Sequence, residues 1–187
     1  MSLKYLLWCM LTGVAMLGSG NHIIQPPTPG SDVSYTIKAA HMFSSLTTKD
    51  HFQLSVSGKS IAEGRIMFTI STSDHKEIFR DSFPAYDLLY NYDAAEFGGS
   101  TQLSRQKKEN IIQSRMKRFF SDTCFRYPAI NPDEQYDKGD NIDQSAWNDI
   151  HSDKTSIGFV YAHGYESMYG IAFSKKKKKT VLYYYSD

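Results

Sequence analysis

Beyond the first thirty or so residues the chain falls into apolar and polar alternation. In HFQLSVS the apolar residues are Phe52, Leu54 and Val56, separated by His51, Gln53, Ser55 and Ser57, the period of a strand with one buried face. RIMFTIS repeats it with Ile66, Phe68 and Ile70. The connection GKSIAEG, with Gly58 and Gly64 at its ends, predicts that these two strands pair antiparallel. An earlier strand is predicted near SYTIKAAHMF and a fourth near KEIFRDSF, after the turn TSDHK. Pro84 ends the fourth strand or places it at a sheet edge.

The period then becomes helical. In LSRQKKENIIQSRMKRFFS, Ile112, Met116, Phe119 and Phe120 share one arc, and Lys107, Lys108, Arg115 and Arg118 share the neighbouring one. Such a helix docks by its C-terminal half and shows a basic flank. A shorter helix is predicted in NIDQSAWNDIHSD, where Asn141 and Gln144 fit a capping box and Ala146, Trp147 and Ile150 form an apolar face. TSIGFVYAHG, YGIAFS and TVLYYYS close the chain as two or three strands, and YPAINPDEQYDKGD at 127–140 is an acidic, turn-rich connection. The expected fold class is α+β: an antiparallel, β-rich domain over 34–187 with two helices inserted between an N-terminal strand block and C-terminal strands. No internal repeat is visible.

The N-terminal end is of another kind. The run YLLWCMLTGVAML after Lys4 holds about 13 apolar residues, short of the roughly 20 that span a hydrocarbon core. A charged start, a short apolar run and small residues after it predict an export signal over 1–20, with Gly18 and Gly20 at the cleavage positions and Asn21 as the new start. Leu17-Gly18-Ser19 opens like a bacterial lipobox, but Gly20 stands where the lipidated Cys belongs, and Leu7 and Trp8 are too bulky for Cys9 to replace it. Residues 21–33, NHIIQPPTPGSDV, are Pro-rich and read as a tether. After cleavage no transmembrane segment is expected; peripheral association with the envelope remains open.

Composition excludes more than it identifies. The chain has 21 Lys and Arg against 20 Asp and Glu, and losing Lys4 balances them, so no global field attracts nucleic acid. Cys124 is then the sole thiol; set in DTCFRYP, it is expected to pack as a small buried hydrophobe. Walker, dinucleotide-binding, HExxH, paired CxxC and GxSxG patterns are missing, and no cofactor or metal is predicted.

Four constellations could carry chemistry. DIHSD sets His151 between Asp149 and Asp153, which suits proton transfer, although a polar helix end explains it more simply. Cys124 could form a thiolate pair with His163 or His151. Asp133, Glu134, Asp137, Asp140 and Asp143 offer oxygens for calcium, but Gly139 breaks the EF-hand spacing, and a solvated loop is expected. The run Lys175, Lys176, Lys177, Lys178 and Lys179, followed by Tyr183, Tyr184 and Tyr185, resembles an anion-binding patch. In a hairpin the same lysines would form the turn and guard an exposed strand, and that role is expected.

The order of export signal, Pro-rich tether, strand block with GRIMFTIS and FPAYDLL, helix ending in RFF and closing IAFSKKKKKTVLYYYS resembles small, uncharacterised exported lipoproteins of Gram-negative envelopes. Gly20 departs from that pattern. The resemblance implies an exported, periplasmic or envelope-associated protein and carries over no site residues. The expectation is a non-catalytic envelope protein with a binding or structural role toward an unknown protein or envelope ligand. The alternatives are a small envelope hydrolase using His151 or Cys124, and an inhibitor or immunity-like protein.

Overall fold

The alternating segments form strands and pair with their sequence neighbours. β1 (Val33–His41), β2 (Asp50–Gly58), β3 (Arg65–Ser71) and β4 (Glu77–Pro84) make one antiparallel sheet in the order β1-β2-β3-β4. This is a computed structural model, and it describes residues 32–90, 103–137, 142–164 and 167–186. The predicted export signal, most of the tether, Gly139, Asp140 and Asn141 lie outside the described residues. Val33, assigned from the sequence to the tether, is the first residue of β1. β2 and β3 pair as expected, Leu54 opposite Phe68 and Val56 opposite Ile66, and Pro84 closes β4.

α1 (Arg105–Arg118) follows, capped by Ser104, whose hydroxyl accepts from the Lys107 amide. A 3-10 turn at Asp122–Cys124 leads into the two-residue strand β5 (Phe125–Arg126). After α2 (Gln144–Ser152) come β6 (Gly158–Ala162), β7 (Met168–Ser174) and β8 (Lys179–Ser186). The second sheet is also antiparallel, in the order β5-β6-β7-β8. The coarse α+β expectation therefore holds, with two four-stranded sheets and two helices among the described residues. The helices are not one insertion, because β5 lies between them. Two residues are too few to show a period, so β5 leaves no pattern in the sequence.

The two sheets face each other across aromatic side chains. Phe52, Phe68 and Phe159 are fully buried. Phe159 on β6 meets Phe52 on β2 at 5.5 Å and Phe68 on β3 at 5.6 Å between ring centres. Two residues on, Tyr161 meets Phe68 at 5.3 Å and Phe79 on β4 at 6.4 Å. Walking along β6 thus meets successive strands of the first sheet, from β2 and β3 at Phe159 to β3 and β4 at Tyr161. Phe119 and Phe120, just past α1, fill the space between: Phe120 lies 5.6 Å from both Phe52 and Phe68, and Phe119 is 6.0 Å from Phe159.

The second sheet is covered on its other face as well. Ala172, Val181 and Tyr183 pack there against Ala129, Ile130 and the Ala146, Trp147 and Ile150 face of α2. A β-carbon at Gly158 on β6 would collide with the Tyr183 hydroxyl and one at Gly170 on β7 would crowd its ring, so the two glycines make room for that side chain. Being buried on both faces, β6 reads GFVYA without alternation. The helix cap differs from the predicted capping box: the Asp143 carboxylate accepts from the Ser145 amide, making Asp143 the N-cap of α2.

Phe68→Ala should lower unfolding stability by about 3–5 kcal/mol, because it removes a ring from the centre of the inter-sheet contact. Ser55→Ala, on the outer face of β2, should stay within about 0.5 kcal/mol. Urea unfolding of both variants checks this; similar losses for the two would contradict the packing described.

Candidate functional site

β1 and β5 are the outermost strands of their sheets, and their ends meet. The His41 ring stacks on Phe125 at 4.1 Å and meets Phe52 edge-on at 5.9 Å. Beside this stack opens a groove of about 480 Å³. Ala40, Met42 and Leu46 line one side, and Phe125, Tyr127 and Ile157 the other. Lys49, Arg126, Asp122 and His41 supply its charged and polar atoms.

The loop after β1 is held in a way that keeps apolar residues on this surface. Phe43 turns inward, 4 % exposed and edge-on to Phe52. The buried Asp50 accepts from the Ser44 amide at 2.6 Å and the Ser44 hydroxyl at 3.0 Å, and Ser45 Oγ accepts from the Thr47 and Thr48 amides. With these anchors made, Met42 and Leu46 stand outward at 45 % and 43 % exposure, opposite Tyr127 at 64 %. Burial of His41 lowers its pKa, partly offset by Asp122, whose carboxylate is 3.9 Å away. With its pKa lowered, the imidazole on this phenyl ring adds a polar but largely uncharged group to the wall.

A second cluster ties the sheets together on the far side. His163, just past β6, lies between Phe83 at 4.1 Å and Tyr169 at 4.6 Å, nearly parallel to both rings. Its Nε2 is 3.5 Å from Asp81 Oδ2 and its Nδ1 is 3.5 Å from Asp87 Oδ2. Tyr161 donates to Asp81 Oδ2 at 2.9 Å, joining β6 to β4. Burial pushes the Asp81 pKa up, but hydrogen bonds from His163, Tyr161 and the Ser82 amide outweigh it and leave the carboxyl below its ordinary value. Burial, with Asp81 beside it, drives the Tyr161 pKa far upward, so the phenol keeps its proton. The cluster is a clasp between the sheets, closed on both sides by aromatic rings.

The residues singled out from sequence lie apart. His151, in the last turn of α2, stacks on Trp147 at 4.6 Å with Nε2 3.1 Å from the Pro132 carbonyl. Its neighbouring carboxylates point elsewhere, Asp149 to the Ser174 hydroxyl and Asp153 to Lys175. Cys124 is a free thiol, half-buried where full burial was expected, with its sulfur 3.3 Å from Ser121 Oγ. Among the described residues no hydrogen bond or ion pair joins it to His151 or His163, and no group of three or more His, Cys, Asp or Glu is placed to hold a metal.

Lys175 to Lys178 form the turn between β7 and β8, and Lys179 starts β8, an edge strand. Lys177 binds Asp143 Oδ2 at 2.8 Å and Ser145 Oγ at 2.7 Å, and Lys175 binds Asp153 Oδ2 at 2.8 Å. The turn therefore grips α2 at both ends, which holds the Asp143 carboxyl well below its ordinary range. Asp143, one of the acidic residues with oxygens to offer calcium, is occupied by this contact and by its capping role.

The groove was not foreseen. Its walls come from the end of β1, the following loop and the segment around β5, far apart in sequence. The available signal was Met42 and Leu46 standing in the polar stretch HMFSSLTTK, without the alternation that would bury them.

Because its pKa is lowered on folding, Asp81 stabilises the fold above its ordinary value of 3.8, and this contribution is lost as the pH falls through the folded value. The stability difference between the wild type and Asp81→Asn should hold steady near neutrality and shrink below about pH 4. Urea midpoints from pH 6 down to pH 2.5 measure it; a difference independent of pH would contradict the clasp. Compared with family models, curated proteins and solved structures, the chain finds no match in any of the three.

Proposed function

We propose that this is an exported, non-catalytic binding protein of the bacterial cell envelope and that the groove between the ends of β1 and β5 is its ligand face. One observation carries the reading. Of the six large apolar side chains exposed among the described residues, Met42, Leu46 and Tyr127 line this one groove. Apolar surface gathered in a concavity and rimmed by charge favours a ligand over water, whereas single exposed side chains need no such account. The groove volume falls within the range usual for ligand pockets. The short apolar run before the tether supports export, and no helix among the described residues is long and apolar enough to cross a membrane.

A photo-crosslinking residue placed at Leu46 should give a discrete adduct in the native envelope, several-fold stronger than the same residue at Lys76 in the β3–β4 turn. Adding Met42→Asp should remove the adduct. Equal yields at the two positions, or an adduct that survives Met42→Asp, would contradict the groove as the binding face.

A further inference from the structure

Two features of the groove that its apolar walls do not explain indicate the ligand chemistry, provided that the groove is the binding face. The first is its charge. Lys49 and Arg126 both line it and both are exposed. Among the described residues neither has a carboxylate within 4.0 Å, and Arg126 makes only a distant approach to the Tyr184 ring, 5.9 Å from its centre. Four cations elsewhere are paired, Arg80 with Glu77, Arg105 with Glu109, Lys175 with Asp153 and Lys177 with Asp143; what sets Lys49 and Arg126 apart from the other surface cations is the apolar groove they line. The one carboxylate of the groove, Asp122, has a side chain 99 % exposed and sits beside His41. The groove thus offers two unpaired positive groups beside an apolar floor.

The second feature is backbone. Among the described residues β1 pairs only with β2 and β5 only with β6, so there both strands that border the groove are sheet edges. An edge strand presents peptide groups that an added extended chain can meet, and pockets beside the edge then select its alternate side chains. A small amphiphile would use the apolar walls and the cations but leave both edges unused.

We propose that the occupant is an extended peptide segment of a partner protein, in which an apolar side chain seats among Met42, Leu46 and Tyr127 while a neighbouring Asp or Glu reaches Lys49 and Arg126. The apolar residue supplies most of the affinity. The carboxylate sets direction and selectivity, since pairs at an exposed rim add little energy but repel the wrong charge.

The test uses a pool of random nine-residue peptides displayed on phage and selected on the processed protein at neutral pH. Recovered peptides should be enriched in Asp or Glu within two positions of a large apolar residue. Lys49→Glu with Arg126→Glu should turn that preference toward Lys and Arg. For one recovered acidic peptide, the milder Lys49→Gln with Arg126→Gln should weaken binding by roughly 5-fold to 10-fold and flatten its salt dependence. All four substitutions are on exposed side chains, and an unchanged unfolding midpoint verifies that each variant is folded. Peptides lost with Met42→Asp but indifferent to the charge changes would overturn the acidic partner and leave the groove standing. Peptides that survive Met42→Asp would overturn both. Dodecanoate occupying the groove, with no peptide recovered, would overturn the peptide as occupant.

Discussion

Everything in this molecule depends on the aromatic contact between two small sheets. Four short strands cannot bury an apolar face alone, so each sheet uses the other, and Phe52 and Phe68 meet Phe159 and Tyr161 where they overlap. Phe119 and Phe120 enter that overlap from the end of α1, which makes the helix a wedge more than a cover. At one corner the sheets are joined by Asp81, Tyr161, His163 and Asp87. At another, where β1 and β5 end, Phe125 bridges the sheets by its contacts with His41 and Phe52, and the groove opens beside it.

Much of the scaffold could be read from the chain because burial on one face imposes a period. Phe52, Leu54 and Val56 alternate with polar neighbours since the outer face of the first sheet meets water, and the register of β2 on β3 follows. β6 shows the opposite case: covered by the first sheet and by the α2 side, it reads as an unbroken apolar run. What escaped were features set by tertiary contact. β5 is strand only because β6 offers it a partner, and Asp143 takes the cap of α2 while Lys177 reaches it from a turn 34 positions away. The groove joins residues 40–49 to residues 122–127 and Ile157, and no local pattern links them.

The lysines show that a local run of charge does not act as one uniform patch. Of the five successive cations near the C-terminus, two are held by carboxylates at the ends of α2, while Lys176, Lys178 and Lys179 have no carboxylate within 4.0 Å among the described residues. An ammonium that already has a partner must break that contact before it binds anything else. Lys49 and Arg126 stand singly in sequence and drew no notice, but among the described residues they face an apolar floor with no carboxylate to neutralise them. Position, more than number, decides which charges are available.

If the open corner between β1 and β5 is the ligand face, a ligand must perturb the backbone there and nowhere else first. Amide chemical-shift mapping reads this without intermediaries, by titrating the isotope-labelled protein with an acidic, apolar-containing peptide. Shifts should concentrate on residues 40–49 and 122–127, with the β7–β8 turn and α2 unmoved. Shifts centred on Lys175 to Lys179 and α2, with the corner silent, would contradict the corner as the ligand face.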